Sequence, residues 1–157
     1  MVYNVDMLDE FYMQEAIKEA QKAYELDEIP VGAVVVKDGE IIGRGHNLRE
    51  KNRDVSSHAE IEAMKDASNK IGDWRLSGCT LYVTLEPCPM CSGAILQSRI
   101  SRVVFGAKDS RDGAIVSNYF LFDSPCIHER PLIDFGTLSK ECEELLKSFF
   151  FNKRKLR

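Results

Sequence analysis

The sequence predicts an α/β domain of three layers, a central mixed sheet of about five strands with helices on both faces. Two observations lead there. Segments of helical period alternate with short β-rich runs in the order α-β-β-α-β-α-β-(α)-β-α. The first strand candidate, Val31-Gly-Ala-Val-Val-Val36, is apolar at nearly every position, as a strand covered on both sides must be. A chain of 157 residues forms one such domain, 1–157, and buries a core without disulfide staples.

Each element has its own signal. Over residues 7–26, Leu8, Phe11, Tyr12, Ile17, Ala20, Ala23 and Tyr24 share a helical face, with acids gathered at the start. Asp27-Glu28-Ile29-Pro30 ends that helix before the first strand. Asp38-Gly39 is a hairpin turn, and 40–45 return as the second strand. Gly43 and Gly45 mark a place where something approaches the backbone closely. Residues 47–57 are polar and read as a loop. From His58, the residues Ile61, Ala63, Met64 and Ala67 trace a helix that fades at Asn69-Lys70-Ile71-Gly72. A strand over 79–85 follows, then a helix opened by Pro89 at its first position and running to Gln97. Residues 102–107 form a strand and 108–130 an irregular stretch with an apolar cluster at 119–122. A short strand at 132–135 precedes a helix capped by Ser139 and carrying Leu145, Leu146, Phe149 and Phe150.

The chemistry sits at two junctions of this frame. Ser57-His58-Ala59-Glu60 opens one helix, and Leu85-Glu86-Pro87-Cys88-Pro89-Met90-Cys91 joins a strand to the next. His58, Cys88 and Cys91 supply three ligands suited to Zn²⁺, one ion per chain. Cys79, Cys126 and Cys142 stand alone, and His46 and His128 have no spaced mate, so no fourth ligand is evident. Three ligands and an open position describe a catalytic zinc rather than a structural one. Glu60 is then the group to take and return the protons of the water in that position. Residues two apart share no face in mid-helix, so His58 and Glu60 converge only within a first turn. Helix N-termini at both junctions favour thiolates at Cys88 and Cys91. A thioredoxin-like redox pair explains neither His58 nor Glu60, and a purely structural zinc module gains nothing from Glu60.

Composition bounds the rest. Hydrophobic residues make up 44% and charged ones 29%, as in a soluble globular protein. Five cysteines at irregular spacing argue against a secreted disulfide framework. Residues 1–6 have neither a basic start nor an apolar run, so no signal peptide is expected, and no stretch is apolar enough to span a membrane. A cytoplasmic protein is expected. A net charge of −4 disfavours an indiscriminate nucleic-acid binder. The average conceals an asymmetry. Residues 1–28 carry eight acids and two bases, whereas no acid follows Glu144 and Lys147, Lys153, Arg154, Lys155 and Arg157 do. A basic tail on an acidic body fits a local polyanion contact as well as it fits a solvated helix end.

The H-x-E and P-C-x-x-C pair is the signature of zinc nucleobase deaminases. The wider set of Pro30-Val-Gly-Ala-Val-Val-Val36, Gly45-His-Asn47, His58-Ala-Glu-Ile61, Leu81-Tyr-Val-Thr-Leu-Glu-Pro-Cys-Pro-Met-Cys91, Ser98-Arg-Ile100 and Val103-Val-Phe-Gly-Ala107 closely resembles the bacterial tRNA-specific adenosine deaminase family. The likeness runs from about Phe11 to Phe150. It implies a cytidine-deaminase-like fold, a homodimer, and hydrolytic conversion of adenosine to inosine at the wobble position of a tRNA anticodon stem-loop. By the same resemblance His58, Cys88 and Cys91 hold the zinc, Glu60 is the proton shuttle and Asn47 contacts the base. The resemblance also implies that Asp109, in the charged run Asp109-Ser-Arg-Asp112, lines the substrate entrance, where the residues alone fit an ordinary solvated turn as well. Phe149, Phe150 and Phe151 are consecutive and cannot all face one core. With Lys153 and Arg154 close behind, they pair aromatic surface with positive charge, as unstacked bases and phosphates require. The chain departs from the family at Cys126-Ile-His-Glu-Arg130, where an Asn-His-Arg triplet is common, and at Phe151, where a basic residue is common. The alternative within the same chemistry is a deaminase of free guanine or another small nucleobase, which would have no use for the basic tail.

Overall fold

The computed structural model describes residues 5–156. The opening 1–4, read above for a signal peptide, and Arg157 of the basic tail lie outside them. The strands form where β-branched runs occur: β1 (Gly32–Lys37), β2 (Glu40–His46), β3 (Thr80–Leu85), β4 (Arg102–Ala107) and β5 (Leu132–Phe135). They pair in the order β2-β1-β3-β4-β5. β1 is antiparallel to both β2 and β3, while β3, β4 and β5 run parallel. The helices are α1 (Val5–Glu25), a short α2 (Arg49–Asn52), α3 (Ala59–Ile71), α4 (Pro89–Gln97) and α5 (Ser139–Lys155), with a 3₁₀ turn at Leu121–Asp123. None of the described helices is long and apolar enough to cross a membrane.

The alternation of β1 decides the layers. Ala33 and Val35 enter a core shared with Ala63, Met64 and Ala67 of α3 and Ile95 of α4. Val34 and Val36 point the other way, against Tyr12, Met13 and Ala16 of α1 and Cys142 of α5. Both faces of the sheet are therefore dry, which explains the uninterrupted apolar run of β1. Each fully buried Val or Leu in these layers contributes about 1.5–3 kcal/mol relative to exposure.

Close backbone approach sets the helix positions. A Cβ at Gly32 would strike the backbone of Ala16 and Ala20, and one at Gly43 or Gly45 would strike that of Ala63 or Ala59. The expected approach to Gly43 and Gly45 is thus made by α3. The hairpin turn takes positive φ at both Asp38 (50°) and Gly39 (79°), the pattern of a primed turn.

Three local expectations are corrected. The buried face of α1 is Tyr12, Met13, Ala16, Ala20 and Ala23, while Leu8 and Phe11 are 41% and 53% exposed. Small residues win because the helix must approach Gly32 so closely. The polar segment 47–57 contains α2, whose first amides are fixed by a distant carboxylate described below. Ser139 is the first residue of α5 and not its cap; Leu138, at φ 50°, takes that place without a side-chain hydrogen bond.

Because β2, β3 and β4 all point the same way, their C-terminal ends lie along one edge of the sheet. Gly32, where β1 begins, pairs with His46 at that edge, and its amide donates to Thr84 Oγ1 at 3.2 Å. The segments beginning with Asn47, Glu86 and Lys108 leave from there, and everything chemical follows from it.

Candidate active site and metal centre

His58 is the N-cap of α3 and Cys88 the N-cap of α4, both with extended backbone. Cys91 and Glu60 lie inside the first turns that these caps open. His58 and Glu60 therefore do converge, through first-turn geometry. Pro89 stands at the first helical position, where its missing amide hydrogen costs nothing.

His58 Nδ1 lies 3.6 Å from Cys88 Sγ and 3.5 Å from Cys91 Sγ, and the three donor atoms fall within 4.8 Å of one another. Tetrahedral zinc, with bonds of about 2.3 Å to sulfur and about 2.0 Å to nitrogen, requires a nitrogen–sulfur edge of about 3.5 Å. The donor set fits that ion in chemistry and in spacing.

The protons of the cluster are shared in a way a cation would replace. A hydrogen bond from the Cys91 thiol, with a second from His58, lowers Cys88 to about 4 despite burial. Cys91 is pushed far up by the hydrogen bond it gives Cys88 and by burial. The Cys88 hydrogen bond raises His58 against the opposing effect of burial. A metal bound by these three groups would displace the protons they share. Glu60 is 4% exposed. Burial, above all, raises its carboxyl to about 7; its own backbone N–H opposes the shift and the Cys88 charge adds to it.

His58, Glu60 and Cys88 line a cavity of about 590 Å³, with Asn47, Asp109 and Phe150 also in its walls and Cys91 buried behind it. A neighbouring groove of about 740 Å³ is bounded by Leu26, Lys51, Phe149 and Lys153, and it shares Ile29, Asn47, Arg49 and Phe150 with the first. Asn47 is 7% exposed and already oriented: Nδ2 donates to Ile29 O at 3.2 Å, and Oδ1 accepts from Arg49 N at 3.1 Å. One N–H and one acceptor direction remain for a ligand. Asp109 Oδ1 accepts from the amides of Arg111 and Asp112, both at 3.1 Å, which folds the charged loop back on itself.

The three phenylalanines separate as expected. Phe149 is buried edge-on against Tyr24, with ring centroids 5.5 Å apart, whereas Phe150 and Phe151 are exposed. Phe150 faces the cavity and Phe149 supports it edge-on. Lys153 bonds Asp27 in the segment after α1, and Arg154 is exposed.

Two buried carboxylates near the site were not singled out from sequence. Glu28 accepts from the amides of Glu50 (3.0 Å) and Lys51 (2.8 Å), fixing α2 and with it Arg49. Glu86 accepts from a set of amides in 109–117. A charged residue ending an apolar strand, as in Leu85-Glu86-Pro87, was the available signal.

A family model described as MafB19-like deaminase matches residues 7–155. A tRNA-specific adenosine deaminase of Bacillus subtilis is 48% identical over 147 residues, covering 94% of this chain and 91% of that protein. One from Aquifex aeolicus is 44% identical, covering 90% and 93%. A solved structure from work on A-to-I editing by tRNA:A34 deaminases at the wobble position of transfer RNA superposes with a TM-score of 0.84. It is 43% identical, covering 87% of this chain and 99% of its own. A buried carboxylate beside a His-Cys-Cys cluster, at the strand edge of a cytidine-deaminase-like α/β/α sheet and in a chain so similar to these proteins over nearly its whole length, places the chain in the tRNA-specific adenosine deaminase family.

Proposed function

We propose that this chain deaminates adenosine to inosine, hydrolytically, at the wobble position of a tRNA anticodon. The observation that carries the reading is the His58, Cys88 and Cys91 donor set, with His58, Cys88 and buried Glu60 lining a cavity of about 590 Å³. The three donors would hold one Zn²⁺ per chain. Bound there, the ion supplies the Lewis acidity that makes water a nucleophile at neutral pH.

Glu60 carries the protons. A carboxyl raised to about 7 is matched to taking a proton and returning it near neutrality. It accepts one proton of the attacking water and passes it to N1 of the ring, then takes the second from the new C6 hydroxyl and gives it to the departing amino group. The water oxygen bonds C6, the C6–N6 bond breaks, and ammonia leaves. Asn47 offers its remaining donor and acceptor to the edge of the base, and Phe150 offers a stacking face. Asp109 stands in the entrance wall. The groove beyond Asn47 and Arg49 gives flanking nucleotides a path toward Lys153 and Arg154. A splayed loop base can enter such a site where a stacked stem base cannot. The protein works as a cytoplasmic homodimer, and sedimentation at micromolar concentration showing only monomer would overturn the dimer.

Ammonia release decides the substrate. Zinc-loaded protein is mixed with an anticodon stem-loop carrying a wobble adenosine, with free guanine, and with free adenosine. Release from the stem-loop is expected. Release from guanine instead would make the chain a small-nucleobase deaminase.

A further inference from the structure

The wall of the cavity formed by 108–118 has no helix or strand to hold it, yet it carries Asp109. Apart from Ala114 N, which donates to Pro87 O, its ties to the strand end converge on one carboxylate. Glu86 is 2% exposed and stands between β3 and the Cys88 cap. Its Oε1 accepts from Asp109 N at 3.0 Å and from the Ser117 hydroxyl. Its Oε2 accepts from three successive amides, Ile115 at 3.1 Å, Val116 at 2.9 Å and Ser117 at 3.0 Å. Gly113 passes so near that a Cβ there would strike the carboxylate carbon.

From this geometry we infer that Glu86 is a positioning residue for the deamination: its carboxylate is the mould on which the loop 109–117 is cast, and through that loop it places Asp109 in the pocket wall. Only an anion of this shape serves. Five donors converge on two oxygens, and no neutral side chain accepts five hydrogen bonds without presenting hydrogens of its own. A glutamine would turn an NH₂ toward three amide hydrogens or toward Asp109 N and Ser117 Oγ, leaving buried donors unpaired. The loop would then leave the carboxylate's surface and take Asp109 with it. The Glu86 backbone amide donates to Ala107 O at 2.8 Å, which keeps the strand end in place, and Ala114 N donates to Pro87 O at 2.9 Å, which pins the middle of the loop, so the parts released are Asp109 and 115–117. This role rests on the proposed activity for its consequence, though not for its geometry.

The test uses the full zinc-loaded chain as Glu86→Gln, Ser117→Ala, Asp109→Ala and the Glu86→Gln/Asp109→Ala double. In Glu86→Gln, amide hydrogen exchange at 109 and 115–117 should quicken by about tenfold or more while β3 and β4 amides hold. Zinc content should be unchanged, and KM for the stem-loop should rise about tenfold with a smaller change in kcat. Ser117→Ala, which removes one of the five donors, should move both readouts less and in the same direction. On the Asp109→Ala background the Glu86→Gln change should add little.

A folded, zinc-loaded Glu86→Gln protein with wild-type KM and wild-type loop exchange overturns the proposal, even if its Tm is lower. Full multiplicative losses in the double variant overturn the route through Asp109. Should Glu86→Gln not fold, Ser117→Ala carries the same two readouts. Exchange needs no substrate, so a wild-type chain inert on the stem-loop refutes the proposed function and leaves the mould to be decided by the loop amides.

Discussion

Burial penalises the charge of Glu60, and the neighbouring Cys88 thiolate penalises it further, so the group rests near the midpoint of its titration at neutral pH. A side chain in that condition is poor at binding a metal in competition with two sulfurs and an imidazole, and good at exchanging protons. Glu60→Ala is therefore expected to keep its zinc and its fold and to lose deamination by about 10²–10⁴-fold. Metal analysis beside ammonia release checks it, and loss of zinc together with activity would make Glu60 a ligand. Cys88→Ser should show the opposite pattern, with zinc content falling first and activity following it. The contrast is a statement about positions: Cys88 is a cap whose side chain faces its partners directly, and Glu60 lies one step inside a helix.

Helix α5 is where neighbouring residues part company. Phe149 is 6% exposed and Phe150 43%, although they are adjacent, because consecutive helical positions turn by about 100°. Phe149→Ala should cost about 3 kcal/mol of stability, measured by denaturant unfolding, since it empties a contact between α1 and α5. Phe150→Ala should change stability by no more than about 0.5 kcal/mol and weaken stem-loop binding by about 1 kcal/mol or more. Equal stability losses would place both rings in the core. That these phenylalanines could not share one face was legible in the sequence, as were β1, the hairpin turn and the two caps, because each depends on residues next to one another. The buried face of α1, the turn α2 and the moulded wall 109–117 depend on Gly32, Glu28 and Glu86, partners distant in the chain, and local periodicity carries no trace of them. Lys153 is a related case. Its charge was legible, but its partner Asp27 lies 126 residues away.

Across the whole molecule, one ion-pair network ties α1 to three strands. Asp9, 4% exposed, receives Arg102 Nη1 at 2.8 Å and Nη2 at 2.7 Å, and the Tyr82 hydroxyl at 2.7 Å. Arg102 also reaches Asp134 of β5 at 2.7 Å. Burial alone would raise the Asp9 carboxyl above its ordinary 3.8, but the Arg102 and Tyr82 hydrogen bonds outweigh it and hold the group lower. A carboxylate depressed in the folded state contributes stability that is complete above the unfolded value and drains as pH falls through the folded one. Asp9→Asn leaves Arg102 with Asp134, which is 58% exposed, as its remaining anion and should cost about 3 kcal/mol at neutral pH. The difference in Tm between wild type and Asp9→Asn should be constant from pH 7 down to about 4 and close below the ordinary carboxylate value of 3.8. Tyr82→Phe, which spares the pair and removes one hydrogen bond, should cost about 1 kcal/mol and keep most of that acid sensitivity. A wild type and an Asp9→Asn protein whose melting temperatures stay parallel into strong acid would show that Asp134 alone satisfies Arg102, and that α1 is held to the sheet by Met13, Ala16 and Ala20 without the charge.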